Sequence, residues 1–176
     1  MIQKESANQV NSISLSLQGL VFGMILIFPA LLSMDVLGGH ITLSFLPVAA
    51  VYLWPRAASY SWSLPGIFLI GLSYDMASAS PMGMWTLAFL ILFVVLGGGI
   101  AHPGGLSRAV GGFSLSVLLC FIVVLIVGRL FMGQWPHIFT LLANAVASII
   151  IFPIIYWIRS MLMIMRGQQD TLGLRE

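Results

Sequence analysis

Long apolar stretches, separated by short breaks rich in glycine, proline and polar residues, dominate the chain from residue 14 onward. About 20 apolar residues in succession are enough for a helix to cross the hydrocarbon core of a bilayer. On this criterion the pattern predicts six transmembrane helices, over residues 14–33, 41–54, 64–79, 81–100, 109–130 and 137–158. We therefore predict an all-α, polytopic membrane protein with a single integral membrane domain over residues 1–176.

The second stretch is irregular. A helix of about 14 residues is about 21 Å long, which is short of a ~30 Å core. This stretch also contains Pro47, which removes one backbone hydrogen bond. A tilted span, a re-entrant segment and a span extended through its loops all fit this pattern. Since irregular backbone is tolerated in a membrane only where protein or a cavity covers it, we expect the second to fourth stretches to pack as one unit.

Composition excludes several classes of protein. Apolar residues make up 60% of the chain and charged residues 7%, against roughly 25% charged in soluble domains. There are too few charges to cover a water-exposed surface, to produce disorder or to form a nucleic-acid footprint. Cys120 is the single cysteine, so the chain forms no internal disulfide. We expect membrane lipids, and no nucleic acid, among its partners.

The distribution of basic residues predicts the orientation. With the N-terminus in the cytoplasm, the outer side receives one basic residue, Arg129. The inner side receives six, which are Lys4, Arg56, Arg108, Arg159, Arg166 and Arg175. Six spans also place the C-terminus inside, so the pattern predicts a multi-pass membrane protein with both termini cytoplasmic.

The sequence offers no constellation for catalysis or for a cofactor. The glycine runs around residues 97–105 lack the Gly-Lys-Ser/Thr that completes a P-loop. His40, His102 and His137 fall on alternating sides of the predicted membrane, so they cannot converge on one metal ion. We therefore predict no catalytic, cofactor or metal site and no enzymatic activity.

Asp75 is the only acidic residue inside a predicted span, where a carboxylate is costly and is a functional candidate by default. It lies near the end of its helix, where the dipole disfavours negative charge. One source of compensation is the start of the fourth helix, with Ser80 as N-cap, Pro81 in the first turn and free backbone amides facing the carboxylate. The other is Arg129, at the same end of the fifth span. A structural role, a contact with a partner and a part in transport all remain open for Asp75.

Small residues mark a second candidate. The fifth span places Gly112, Ser116 and Cys120 at four-residue spacing, which is one narrow helical stripe. Close helix approach through small residues drives association in lipid. The stripe therefore contacts either a partner helix or the protein's own core.

The segment from Phe45 to Trp85 resembles the rod shape-determining protein MreD family. That family combines a short second span containing proline with a Phe-x-x-Gly-Leu-x-x-Asp motif and a Ser/Thr-Pro-x-Gly turn. The matching positions are Phe68, Gly71, Leu72, Asp75, Pro81 and Gly83. Two positions depart from the pattern: arginine follows proline in the run 54–56, and Ala79 stands where glycine is common.

The resemblance implies a non-enzymatic scaffold subunit of the bacterial cell-elongation (rod shape) complex, located in the cytoplasmic (inner) membrane. Such a subunit binds MreC and links the actin-like MreB to peptidoglycan synthesis by RodA and its transpeptidase partner. At the level of the fold, the family is similar to the substrate-binding subunits of energy-coupling-factor transporters. The alternative is a small-solute binding or transport subunit, which the six spans, the interrupted helices and the buried carboxylate also fit.

Overall fold

The computed structural model describes residues 2–36, 39–56, 58–98, 105–133 and 137–173. This part of the chain is mostly helical, with one two-stranded antiparallel hairpin. In chain order the elements are α1 (Ile2–Ala30), β1 (Ser33–Val36), β2 (Gly39–Thr42), α2 (Val48–Tyr52), α3 (Tyr60–Ala77), α4 (Met84–Val95), α5 (Leu106–Met132) and α6 (Ile138–Gly173).

Three helices are long and apolar enough to cross a membrane. The apolar stretches are Ser12–Ala30 in α1, Leu106–Phe131 in α5 and Ile138–Met161 in α6. They correspond to the first, fifth and sixth predicted spans. By contrast, α3 has 18 residues and α4 has 12, and 12 residues form a helix only about 18 Å long.

The prediction of a helix over residues 41–54 is wrong. Residues 33–42 form the hairpin, in which Ser33 pairs with Thr42. Among residues 43–54, only the five of α2 are helical. Pro47 stands immediately before this short helix, where its missing amide hydrogen leaves no gap in the hydrogen-bond pattern. The all-α prediction is therefore corrected to a helical fold with a small hairpin.

The irregular segment between the hairpin and Trp54 runs through the interior of the bundle, alongside α3. The Tyr74 hydroxyl donates to the carbonyl of Ser44 at 2.9 Å, and the Trp54 indole donates to the Ser63 hydroxyl at 2.8 Å. Since Ser63 and Tyr74 lie about 16 Å apart along α3, the segment passes antiparallel to that helix. Its side chains are buried from residue 45 to residue 54, as irregular backbone at membrane depth requires.

Glycines and aromatic rings pack the helices around this segment. A β-carbon at Gly23 would collide with Ile70, so α1 and α3 approach closely at that point. On the other side, the rings of Phe113 in α5 and Phe152 in α6 stack with centroids 4.0 Å apart, and Tyr52 packs edge-on to both. The expectation that the second, third and fourth segments pack together is confirmed, because α4 contacts both α2 and α3.

Candidate functional site

The connection between α3 and α4, residues 78–83, is a tight turn that we call the α3–α4 corner. Two backbone positions in it have positive φ: Ala79 at +50° and Gly83 at +93°. Helix α4 begins at Met84 with Gly83 as its N-cap residue. The predictions of Ser80 as N-cap and of Pro81 in the first helical turn are therefore wrong, because the helix begins three residues later than expected.

The Asp75 carboxylate lies inside this corner, with the residue only 1% exposed. Its Oδ1 accepts hydrogen bonds from the backbone amide of Trp85 at 2.9 Å and from the Ser80 hydroxyl at 3.3 Å. Its Oδ2 accepts from the amides of Gly83 at 2.9 Å and Thr86 at 3.2 Å, and from the Thr86 hydroxyl at 2.7 Å. The carboxylate thus accepts five hydrogen bonds from one short stretch of chain.

These contacts explain how a buried carboxylate is stabilised at the end of α3. The first amides of a helix have no acceptor within that helix, and the dipole places partial positive charge on them. The expectation that the amides at the start of the fourth helix face Asp75 is confirmed. Arg129, the other candidate, donates to the carbonyl of Gly133 near the end of its own helix. Within the described residues, none of the hydrogen-bond donors to Asp75 is a cation.

Gly71, one turn before Asp75, sets the distance between the two helices. A β-carbon at this position would lie 2.5 Å from the Cα of Thr86 and 3.0 Å from its backbone nitrogen. Thr86 therefore contacts α3 twice, through its backbone at Gly71 and through its hydroxyl at Asp75. Thr86 is not among the predicted site residues. The only sign of it in the sequence is a hydroxyl in the first turn of a helix that follows a buried acid.

A second group of polar contacts ties the hairpin to the bundle at the same end of α3. The amide of Thr42 donates to Asn144 Oδ1 in α6 at 2.9 Å. The carbonyl of Ser44 accepts from Tyr74, the neighbour of Asp75. Asn144 therefore holds the end of strand β2 against α6, whereas Asp75 holds the α3–α4 corner against α3.

The stripe of small residues on α5 faces the interior. A β-carbon at Gly112 would collide with the Tyr52 hydroxyl. Ser116 is buried and donates to the carbonyl of Gly112 at 3.0 Å. Cys120 is fully buried, with its sulfur 3.9 Å from the carbonyl of Ala88 in α4. Of the two interpretations of this stripe, the structure supports core packing.

The part of the chain that the structure describes holds no group of three histidine, cysteine, aspartate or glutamate residues placed to bind a metal ion. His102 lies outside the described residues. The α3–α4 corner is therefore a structural contact that joins the two helices. A carboxylate offers about four lone-pair directions, and five donors already point at the carboxylate of Asp75.

Comparisons of the chain with models of protein families, with curated proteins and with solved structures found no match.

Proposed function

We propose that this chain is a non-enzymatic membrane scaffold of the MreD type, which binds other membrane helices in the bacterial cell-elongation complex. Its direct partner in this proposal is MreC. Through MreC, or directly, it joins MreB to RodA and the transpeptidase partner of RodA. Two observations support this function. One is the motif resemblance, and the other is that some motif residues form the α3–α4 corner while others lie on the exposed face of α3.

The first class builds the α3–α4 corner. Asp75 accepts the hydrogen bonds, Gly83 supplies a left-handed turn and a donor, and Gly71 permits the close approach of the helices. These residues serve the fold itself, since the Asp75 carboxylate and the Gly83 amide are hydrogen-bonded within the chain and Gly71 lies against the backbone of Thr86. A role for them in contacting a partner is unnecessary to explain the motif.

The second class lies on the surface. Phe68 is 45% exposed and Leu72 is partly exposed, one turn further along the same face of α3. Leu69 and Met76 extend this apolar face, with exposed fractions of 46% and 65%. Packing within the chain does not require a large aromatic side chain at Phe68. We assign this face, Phe68–Leu69–Leu72–Met76, as the contact for the membrane helix of MreC, because close packing drives such association in lipid.

Co-purification of MreC in mild detergent tests the proposal. The double variant Phe68→Ala with Leu72→Ala is expected to lose MreC while it stays folded and monodisperse. The matched control is Leu115→Ala with Leu118→Ala on α5, whose side chains are 68% and 53% exposed. Retention of MreC by the α3 variant, or equal loss in the control, contradicts the assignment of the α3 face.

The six-span topology with cytoplasmic termini is part of the same proposal, and it requires the segment of α2 to cross the membrane inside the bundle. Single cysteines at the two ends of α5, introduced with Cys120→Ser, test it. An impermeant thiol reagent is expected to label Gly133→Cys from outside and to leave Leu106→Cys unlabelled. Labelling of Leu106→Cys from outside contradicts the orientation.

A small-solute binding or transport subunit is the competing proposal, favoured by the interrupted second segment. The saturated hydrogen bonding of Asp75 argues against a solute at this carboxylate. The two proposals differ in genomic context, because a scaffold gene is expected beside genes for MreC and an actin-like protein, and a transport subunit beside genes for ATPase subunits.

A further inference from the structure

The outward side of α1 carries a polar side chain within an otherwise apolar helix. Two side-chain amides occur in the apolar stretches of α1, α5 and α6, namely Gln18 and Asn144. Asn144 is buried and accepts a hydrogen bond from the amide of Thr42. Gln18 is exposed, and its Nε2 donates at 3.4 Å to the hydroxyl of Ser14, one turn earlier on the same helix. One amide thus joins two parts of this fold, whereas the other faces outward from it.

Gln18 lies deeper than the polar segment at the start of the chain. The apolar run of α1 begins at Ile13, directly after a stretch rich in asparagine, glutamine and serine. Gln18 lies five residues further on, which is about 8 Å along the helix axis. Lipid tails offer no hydrogen-bond partner at that depth. The contact with Ser14 engages one N–H, whereas an amide offers two donors and an oxygen with two lone pairs.

Gln18 belongs to a continuous row of exposed side chains, which we call the Gln18 ridge. Its members follow one another at steps of four, three, four and three residues, which keeps them on one face of the helix. They are Ser14, Gln18, Val21, Ile25 and Phe28. The last three are 50%, 59% and 76% exposed. Because α1 packs on α2 and α3 with its other side, the ridge is open to a contact from outside the chain.

The spacing and the sizes of these side chains fit a second helix packed along the ridge. Steps of three and four residues are the repeat of two helices that wrap around each other, and a single polar residue in such a seam fixes their register. Ser14 and Val21, the neighbours of Gln18 on the ridge, are smaller than Ile25 and Phe28 further along. Small side chains let two backbones approach closely, and hydrogen bonds between polar side chains add to association in lipid.

The chemistry of an amide favours a second copy of this chain as the source of that helix. Two copies of a membrane protein share one orientation, so a two-fold axis between them runs along the membrane normal. Such an axis brings identical residues together at the same depth. A glutamine is complementary to itself, since the N–H of each copy donates to the oxygen of the other. A charged residue at this position would instead repel its own copy.

We propose that the chain forms a parallel homodimer through the Gln18 ridge, with reciprocal hydrogen bonds between the two Gln18 amides. The ridge lies on a different helix from the α3 face assigned to MreC, so the dimer does not depend on that assignment. A dimer of this kind carries two copies of the α3 face.

Disulfide cross-linking in native membranes tests the proposal, with single cysteines introduced together with Cys120→Ser. Val21→Cys and Ile25→Cys are expected to form a covalent dimer on mild oxidation, because both positions lie on the ridge. The matched control is Leu118→Cys on α5, where the native side chain is 53% exposed. This control reports random collisions between copies, and it is expected to stay mainly monomeric. Mass spectrometry of the product checks that its mass is twice that of the chain.

Substitution of the glutamine separates the hydrogen bonds from the apolar contact. Energy transfer between two labelled populations of the protein in detergent measures the dissociation constant of the dimer. Gln18→Leu is expected to raise this constant about threefold to thirtyfold, and Gln18→Asn, which keeps an amide, to raise it less. Ile122→Ala on α5, where the native side chain is 49% exposed, is the control and is expected to leave the constant unchanged. Since Gln18 is exposed, the unfolding midpoint of each monomer is expected to stay the same.

Three results would overturn the proposal. Equal cross-linking of Val21→Cys and Leu118→Cys shows that copies meet only by collision. An unchanged dissociation constant for Gln18→Leu shows that the two amides do not pair. A cross-linked product of another mass, in place of the dimer, shows that a helix of a different membrane protein covers the ridge. The cysteine variants keep Gln18, so they test the contact even if Gln18→Leu does not fold.

Discussion

Replacement of Asp75 by asparagine and by leucine separates the contributions of its five hydrogen bonds. Asparagine has nearly the same shape but offers one carbonyl oxygen, and its amide group donates where the second carboxylate oxygen accepted. If the carbonyl takes the place of Oδ2, the amides of Gly83 and Thr86 and the Thr86 hydroxyl keep their acceptor. The new amide then faces the N–H of Trp85, which loses its acceptor.

The magnitude follows from the number of buried donors left without an acceptor. Each such group costs about 1–3 kcal/mol. Asp75→Asn leaves one buried amide, that of Trp85, without an acceptor, and is expected to cost about 1–3 kcal/mol. Asp75→Leu leaves three buried donors without an acceptor, namely the amides of Trp85 and Thr86 and the Thr86 hydroxyl, and is expected to cost about 3–9 kcal/mol. The loss of the charge at the start of α4 adds to both.

Cys120 provides the assay. It is the only cysteine of the chain and it is fully buried, so a fluorogenic thiol reagent reacts with it only when the bundle opens. Unfolding midpoints of the two variants in detergent are expected in the order unaltered, Asp75→Asn, Asp75→Leu. For a chain of this size, 1 kcal/mol corresponds to about 2–4 °C.

Equal midpoints for asparagine and leucine would refute this reasoning, since the fold would then not depend on an acceptor at this position. Loss of rod shape in cells that carry either variant, with both proteins as stable as the unaltered chain, points instead to a partner that contacts Asp75. Ser80→Ala is the matched control within the corner. Of the five bonds to Asp75 it removes the longest, at 3.3 Å, and it also removes the contact with the Ser78 hydroxyl at 2.8 Å. Because both contacts are only partly buried, the expected cost is about 1 kcal/mol.

Three further substitutions probe the packing around the site, each measured by the same thiol assay. Gly71→Ala is expected to cost about 1–3 kcal/mol because the added carbon meets the backbone of Thr86, whereas Gly111→Ala, which meets nothing within 4 Å, is expected to be neutral or stabilising; equal effects contradict the close approach. Ala79→Gly is expected to stabilise by about 1 kcal/mol, because φ is +50° there and a side chain is strained in that conformation; a lower midpoint contradicts the strain. Gly112→Leu is expected to prevent folding, since the site faces a buried tyrosine hydroxyl; a folded, monodisperse variant contradicts core packing.

The sequence was sufficient to predict the three long helices and the partner of the carboxylate. Length and hydropathy identify spans such as Leu106–Phe131, because a bilayer of fixed thickness demands a fixed length of apolar helix. Asp75 could be matched to the start of the next helix because an acid and a Ser-Pro turn stand close together in the chain. The predicted first residue of the fourth helix was less accurate. Ala79 and Gly83 have positive φ angles and belong to the preceding turn, so α4 begins only at Met84.

The hydropathy pattern could not predict the hairpin or the buried segment that follows it. Residues 41–54 form an apolar run, and hydropathy does not distinguish a short helix from irregular chain buried in protein. Tertiary packing decides between a helix and irregular chain here. Trp54 fills the space beside Gly66 of α3, and Tyr52 fills the space beside Gly112 of α5. Phe22 and Arg159 likewise meet only after α1 and α6 are placed, so the sequence assigns that arginine merely to the membrane interface.

Hydrogen bonds within the chain satisfy most of the buried polar groups that the structure describes. The amide of Thr42 in β2 and the carbonyl of Ser44 are hydrogen-bonded to Asn144 and Tyr74, and the carboxylate of Asp75 is saturated. Water is not available in lipid to pair an unsatisfied group, so these contacts allow the hairpin and the segment after it to lie against the helices. The guanidinium of Arg159 is the exception among the charged side chains described here, since one of its nitrogens is buried without an acceptor.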